Sequence, residues 1–306
     1  MRILYQGKDI YPDVSVNHCW HDMYAGDRPD SLTIRFNDVR RLWDTWQPKA
    51  GDEIEVEEGA AKTGKMFIAS YRPENGFYTL RASAMPLTAK EAHVKSWDNV
   101  TFLQLANEIA GNHGLSLKTY DLQNYTYEFV EQRNVDDFEF LQQRCMLESA
   151  AMIIYDGSII IYDEKSAESK APTGKISITE QDDFSFTDDS DDAFTRAEFC
   201  NGTYTGKYSA DGDSQNRLLR KVLPLYVSVQ SEADRFAKGI LRSENKNAVH
   251  CVYYARELLE KYAAGSTVSL TTTGAESWDG AFFITHMRND YVFLTTKVFM
   301  RKPLGW

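Results

Sequence analysis

The chain has little of what a secreted, membrane-spanning or cofactor-built protein needs. Its four cysteines, Cys19, Cys145, Cys200 and Cys251, lie far apart and form no Cys-x-x-Cys pair. They read as reduced, partly buried thiols of a protein made in the cytoplasm. The longest apolar run, Ala150 to Tyr155, is too short to span a bilayer. The opening MRILYQGKDI holds no apolar signal segment, so neither secretion nor a membrane anchor is expected. Basic residues are in deficit, 34 Lys and Arg against 45 Asp and Glu, for a net charge of −11. That excludes a general nucleic-acid binder and a ligand of anionic membrane, both of which need clustered Lys and Arg. No GxSxG, HExxH, P-loop or GxGxxG pattern occurs. Nothing asks for a nucleophile, a phosphate cradle or a cofactor, so no enzyme activity is expected.

What is present is ordinary globular material: 306 residues, 42% hydrophobic and 26% charged. That length suggests about two domains and a core that needs no disulfides or metal. Aromatic residues, 17 Tyr and 16 Phe among them, favour strands and large packing surfaces.

Residues 1–90 read as β. Alternating runs recur at Leu32–Phe36, Glu53–Val56, Met66–Ala69 and Phe77–Arg81, with turn residues at Pro48–Asp52 and Pro73–Gly76. The texture changes over 91–165. Val100, Phe102, Leu103, Ala106, Ile109 and Ala110 follow helical spacing, with Thr101 and Gln104 as a capping box. A second helix is predicted from Asp136 to Ser149. Met152–Tyr155 and Ser158–Tyr162 flank Asp156-Gly157, a type I′ hairpin signal. Residues 164–192 are polar, with Phe184-Ser-Phe186 between acidic stretches, and a solvated loop is expected over 182–192. Strands are predicted around 197–204, 248–254, 266–272, 281–288 and 291–300. Residues 206–217 read as an exposed loop. A helix is predicted from Ser231, as N-cap, to about Arg242; 255–263 fits a short helix or a loop.

The two ends of the chain resemble each other. Ala50-Gly51-Asp-Glu-Ile54-Glu-Val56 parallels Ala264-Gly265-Ser-Thr-Val268-Ser-Leu270. Each is followed by Gly-x-x-Phe-Ile-x-x-x-Arg: Gly64, Phe67, Ile68, Arg72 and then Gly280, Phe283, Ile284, Arg288. A two-residue insertion in the intervening loop reconciles the spacings. β-Proteins reuse such patterns by chance, but a further strand follows each copy. The pattern predicts two related β-domains with an α+β unit between them, Gly51 and Gly265 each in a tight turn before an equivalent strand.

Candidate catalytic groups are sparse. His18 and His21, near Cys19 and Asp22, form the only His cluster. In a strand they point to opposite faces; in a loop they could ligate a metal, but no fourth ligand is evident. His113 reads as a capping or surface residue and His286 as a structural one. The acidic tract Asp182–Asp192 lacks the ordered calcium-loop pattern. No catalytic, cofactor or metal residue is assigned.

Three ordered stretches carry a family resemblance: Trp97–Leu115; Gln132–Ala151, with the Asp156-Gly157 hairpin after it; and Ser231–Leu241, followed by the Gly265 and Gly280–Arg288 blocks. Together they span most of the chain from about residue 30 onward. In this order the sequence resembles the phage late control D proteins, baseplate hubs of contractile tails, and the base of the type VI secretion spike VgrG. The resemblance implies an α+β, mainly β fold: a tube-like β-barrel domain over 1–90, an inserted α+β domain over 91–165, and linking strands with a second tube-like domain over 166–306. It implies a non-catalytic homotrimer at the virion tail baseplate, assembled in the host cytoplasm. Three subunits with two such domains each form a pseudo-sixfold ring. The ring joins a sixfold tail tube, or its initiator, to a threefold central spike, beside other baseplate proteins. DNA or the tape-measure protein would pass through the lumen, and the net charge leads us to expect an acidic or neutral inner wall. No C-terminal spike or effector extension is expected. A runner-up follows from Val100–Leu115, which resembles the first helix of LysM peptidoglycan-binding repeats and suggests a cell-wall-binding module.

Overall fold

Leu32, Ile34 and Phe36 alternate with polar residues and are all buried on one face, as a period of two requires. The computed structural model describes residues 1–26, 28–210 and 217–306. There these residues lie in the fourth of eight opening strands: β1 (Arg2–Tyr5), β2 (Lys8–Asp9), β3 (Ser15–Tyr24), β4 (Ser31–Asn37), β5 (Glu53–Glu58), β6 (Ala61–Lys62), β7 (Met66–Glu74) and β8 (Phe77–Ser83). A short helix, α1 (Leu42–Trp46), inserts Trp43 beside the rings of Phe36 and Tyr78, at 4.7 and 5.3 Å between centroids.

Next come β9 (Ala92–Thr101), α2 (Phe102–Asn112), β10 (Ser116–Tyr120), β11 (Thr126–Asp136), α3 (Asp137–Leu147), β12 (Ala150–Tyr155), β13 (Ser158–Asp163) and α4 (Glu164–Glu168). Local chemistry sets their ends. Thr101 Oγ1 accepts from the Gln104 N–H at 3.2 Å, and Gln104 Oε1 accepts from the Thr101 N–H at 3.0 Å, a complete capping box. Asp136 caps α3 through the Glu139 N–H at 2.7 Å. Asp156 and Gly157, at φ +46° and +68°, form the two-residue turn between β12 and β13.

The remainder comprises β14 (Lys175–Ile178), β15 (Asp183–Asp188), β16 (Arg196–Cys200), β17 (Thr205–Ser209), β18 (Leu218–Val222), α5 (Gln230–Asn245), β19 (Val249–Ala255), β20 (Thr267–Thr272), β21 (Gly280–Asp290) and β22 (Thr295–Arg301). Several expectations are corrected here. The tract 182–192 is not a free loop, because β15 pairs antiparallel with β19 and takes its backbone hydrogen bonds there. The expected loop 206–217 begins as β17, paired with β16; residues 211–216 lie outside the described residues. The strand expected over 197–204 stops at Cys200, where Asn201 closes a turn by accepting from Tyr204. The last strand starts only at Thr295, after a turn at 291–294; of 255–263, Ala255 ends β19 and the rest is turn and loop. Ser231 is not the N-cap of α5. The helix starts at Gln230, and the Glu232 carboxylate reaches back to the Ser228 N–H at 2.9 Å instead.

Among the described residues, fourteen strands join into one sheet, ordered β15-β19-β22-β21-β3-β4-β8-β7-β5-β1-β2, with β20 and β14 branching from β21 and β6 from β5. The protein is α+β and mainly β. One core lies under the opening strands, around Cys19, Ile34, Ile54, Ile68 and Leu80. Another lies under the closing strands, around Cys251, Val268, Phe282, Ile284 and Val298. A third joins α2, α3 and the β12–β13 hairpin to β16, β18 and α5. Thus the span 166–306 contributes to all three of these cores, through Tyr291 to the first, and Ala167 and Phe283 join Ala25, Ala151 and Tyr162 in a smaller fourth. α5 approaches the end of α3 so closely that a Cβ on Gly239 would stand 2.3 Å from the Met146 carbonyl oxygen, so only glycine fits.

Candidate functional site: the repeated blocks and the seam between them

Gly51 has φ +91° and Gly265 φ +90°, a backbone region in which a Cβ is strained. The Gly51 N–H donates to Ile68 O at 2.8 Å, and the Gly265 N–H to Ile284 O at 2.8 Å. In return Ile68 N–H donates to Asp52 O at 2.9 Å and Ile284 N–H to Ser266 O at 2.8 Å. Just beyond, Glu53 pairs with Phe67 as Thr267 pairs with Phe283. β7 then carries a register shift between Ile68 and Ser70 against β8, and β21 carries one between Ile284 and His286 against β22. Before the shift Phe67 stands opposite Ser83 and Phe283 opposite Arg301; after it both ladders resume at equivalent pairs, Ser70 opposite Arg81 and His286 opposite Phe299. The buried residues correspond as well: Ile54 with Val268, Val56 with Leu270, Met66 with Phe282, Ile68 with Ile284, Leu80 with Val298.

The copies differ where their surroundings differ. Phe283 is buried against Ala151, Tyr162 and Ala167 and lies under the Arg301 guanidinium, whereas Phe67 is half-buried. Gly64 (φ +64°) backs onto the hairpin, since a Cβ there would stand 2.9 Å from Asp156 Cβ; Gly280 (φ +135°) faces open space. Arg72 is exposed and contacts Glu74. Its counterpart Arg288 is engaged across a seam.

That seam is a direct strand pairing between the copies. The end of β21 runs antiparallel to β3, with His286 opposite Tyr24, Arg288 opposite Asp22 and Asp290 opposite Trp20. Arg288 Nε donates to Asp22 Oδ1 at 2.8 Å and Nη2 to Oδ2 at 3.2 Å. His286 Nε2 lies 2.7 Å from Asp22 Oδ1, and its ring is sandwiched between Tyr24 and Phe299 at 4.4 and 4.5 Å. Trp20 Nε1 donates to Asp290 Oδ2 at 2.8 Å. Burial alone would raise the Asp22 carboxyl, but hydrogen bonds from His286 and Arg288 outweigh it and hold the group below its usual range.

His18 and His21 part company. His18 stacks on Trp20 at 4.6 Å, and burial, then Arg35, lower its affinity for a proton. His21 is fully buried, with Nδ1 2.9 Å from the Tyr291 hydroxyl and Nε2 4.0 Å from Asp30 Oδ2. Burial lowers the His21 imidazole to about 4 and raises the Asp30 carboxyl to about 7. His113 is the C-cap of α2, as the capping reading has it, but not a surface residue: its Nε2 lies 2.9 Å from Asp137 Oδ2 and its side chain is 6% exposed. Among the described residues, no three His, Cys, Asp or Glu side chains stand close enough to hold a metal ion.

Sequence patterning missed Asp30, Glu164 and Glu168, and named Asp22 only as a neighbour of the His18–His21 cluster. Asp22 and Asp30 carried a signal, acids in or beside strongly patterned strands. Glu164 and Glu168 sit four apart, but nothing local separated them from solvated acids. They are buried with Arg242, Arg301 and Lys246, which tie α4 and α5 to β22.

No protein-family model and no curated protein matches the chain. Solved structures do. A tail protein from Neisseria meningitidis MC58 aligns over 99% of this chain and 97% of its own, with TM-score 0.75 and 14% identity. The 43 kDa tail protein of prophage MuSo2 from Shewanella oneidensis aligns over 99% and 98%, with TM-score 0.72 and 12% identity. The E. coli c3393 protein is described as a component of the type VI secretion system with structural similarity to the T4 tail proteins gp27 and gp5. It aligns over 99% of this chain and 77% of its own, with TM-score 0.62 and 11% identity. The fold is therefore the one shared by these tail and secretion-system proteins, in agreement with the resemblance read from the sequence.

Proposed function

We propose that this chain is the structural hub of a phage-like tail, a trimeric adaptor between a sixfold tail tube and a threefold central spike. The observation that supports it most is the seam. Two copies of one strand block sit side by side in a chain, joined edge to edge through β21 and β3. Three such chains present six similar blocks, and a head-to-tail contact that closes makes a ring without leaving edges open. The chain's work is then assembly rather than catalysis, at the baseplate of a virion tail or phage-like particle put together in the host cytoplasm. Its partners are two further copies, the spike, the tube or its initiator and neighbouring baseplate proteins. On this reading 1–90 and the closing strands of 166–306 are the two tube-like domains and 91–165 the insert. The inner wall is acidic or neutral, so that DNA or a tape-measure protein passes without being held.

Sedimentation of the purified chain over a range of concentrations tests the reading. We expect a reversible equilibrium between one and three chains, and three copies at the tube base in particle images. Six copies, one copy, or a chain that stays single at every concentration overturns it. An assembled inner wall dominated by Lys and Arg would overturn the charge assignment.

A further inference from the structure

The seam exists once within the chain, and its counterpart is open at both ends. The correspondence that sets Gly51 against Gly265 and Phe67 against Phe283 also sets residues 70–74 of β7 against 286–290 of β21. On the other side, β4 and β19 occupy the same place beside β8 and β22, since Ser31 pairs with Ser83 and His250 with Arg301. Asp22 then pairs with Ser31 as Thr187 pairs with His250, so β15 is the counterpart of β3. Among the described residues, β15 pairs only with β19, and β7 beyond Phe67 pairs only with β8. Each therefore keeps one free edge.

We propose that the free edge of β7 pairs antiparallel with β15 of a second copy of this chain, in the register of the internal seam. Arg72 stands opposite Thr187 of the neighbouring copy, Ser70 opposite Asp189 and Glu74 opposite Ser185. The inference rests on the hub reading and names its subunit contact.

Three features of the edges fit a second copy. First, the charges are complementary. Arg72, 72% exposed, faces a strand flanked by the exposed Asp183, Asp188 and Asp189. Thr187 replaces the Asp22 that holds Arg288, but Asp189 is a diagonal same-face neighbour within reach of an arginine. Second, Tyr71 is half exposed at the position where Met287 is buried beside the seam, so a neighbouring strand would cover it. Third, the ladder tolerates Pro73. The Ala25 N–H donates to Thr285 O and the Tyr291 N–H to Cys19 O, so by alternation the Asn289 N–H points across the seam. Pro73 occupies the matching position and costs the contact one rung. The same proline also blunts the edge against unspecific pairing before assembly.

Cysteine cross-linking tests the register. One preparation carries Arg72→Cys and another Thr187→Cys; these residues face each other in a non-hydrogen-bonded pair, where Cβ atoms are close enough to bridge. A second pair, Glu74→Cys with Ser185→Cys, keeps Arg72. An out-of-register control joins Arg72→Cys with Asp183→Cys. Mixed and mildly oxidised, both in-register pairs should give a reducible two-chain product at least about tenfold above the control and above the parent chain. Sedimentation of the same mixtures separates the failures. Three-chain particles without in-register cross-links, or with equal cross-linking in the control, overturn this pairing and leave the hub. A chain that never associates overturns both.

Discussion

Arg288 and Asp22, 266 residues apart in sequence, meet in a two-pronged hydrogen bond across the seam between β21 and β3. The carboxylate is nearly buried while the guanidinium is half open to solvent. Removing the carboxylate with Asp22→Ala leaves Arg288 a route to water but strips His286 of its partner. We expect a loss of about 2 kcal/mol, typical of hydrogen bonds to a charged group. Arg288→Lys should also lose stability, because an ammonium cannot reproduce the fork. Urea denaturation checks both. Because the Asp22 carboxyl is held low, its contribution is present above the unfolded carboxylate range and lost as pH falls through the folded value, so Asp22→Asn should approach wild type in acid.

The paired turns make a matched prediction. Gly51→Ala meets only Leu87 Cδ1, at 3.8 Å, and Gly265→Ala only Ile153 Cδ1, at 3.5 Å. Both neighbours are at ordinary contact distance, so the cost is backbone strain alone. Each variant should lose about 1–2 kcal/mol, and the two losses should be alike. A strong effect at one site and none at the other, by thermal melting, would break the equivalence of the turns.

Asp30 and His21 titrate in opposite senses. With its carboxyl raised to about 7, folded Asp30 holds a proton that the unfolded chain releases near pH 4. Its contribution to stability is full below about pH 4 and lost as pH rises to about 7. His21, lowered to about 4, contributes fully above about pH 6.5, and loses that as pH falls. The slopes offset each other in the wild type. Asp30→Asn removes one of them while keeping an acceptor for the Tyr24 N–H. Relative to wild type the variant should gain up to about 4 kcal/mol between pH 4 and 7. Melting curves at half-unit pH steps measure this; a constant difference would contradict it.

Glu168 joins α4 to two other elements. It contacts Arg242 of α5 and lies 2.5 Å from Arg301 Nη1 of β22, with all three side chains at most 2% exposed. Glu168→Ala leaves buried guanidinium charge uncompensated and should cost about 3–5 kcal/mol. Glu168→Gln should cost less, since it keeps an acceptor. Denaturant titration ranks the two, and an alanine variant within error of wild type would show that water replaces the carboxylate.

What the sequence by itself determined is local. The buried alternation of β4, the Thr101–Gln104 capping box, the Asp156-Gly157 hairpin and the two glycine turns each depend on residues a few positions apart. Their physics is a period of two, a reciprocal cap or a positive φ, and all of it is written in neighbouring letters. The parallel between the Gly51 and Gly265 blocks is readable for the same reason, each block being a run of neighbouring residues. Ser231 is not the cap of α5 because the helix begins a residue before it, behind Val229, whose side chain makes no cap, while Glu232 reaches back to Ser228. Only the tertiary structure decided that the acidic tract 183–188 is a strand, since β19 supplies its hydrogen bonds. It also decided that Glu164 and Glu168 are buried, since Arg242 and Arg301 arrive from distant segments to neutralise them. The pairing of β21 with β3 belongs to the same class. Which edge meets which depends on what the rest of the fold leaves unpaired, and no local pattern carries that.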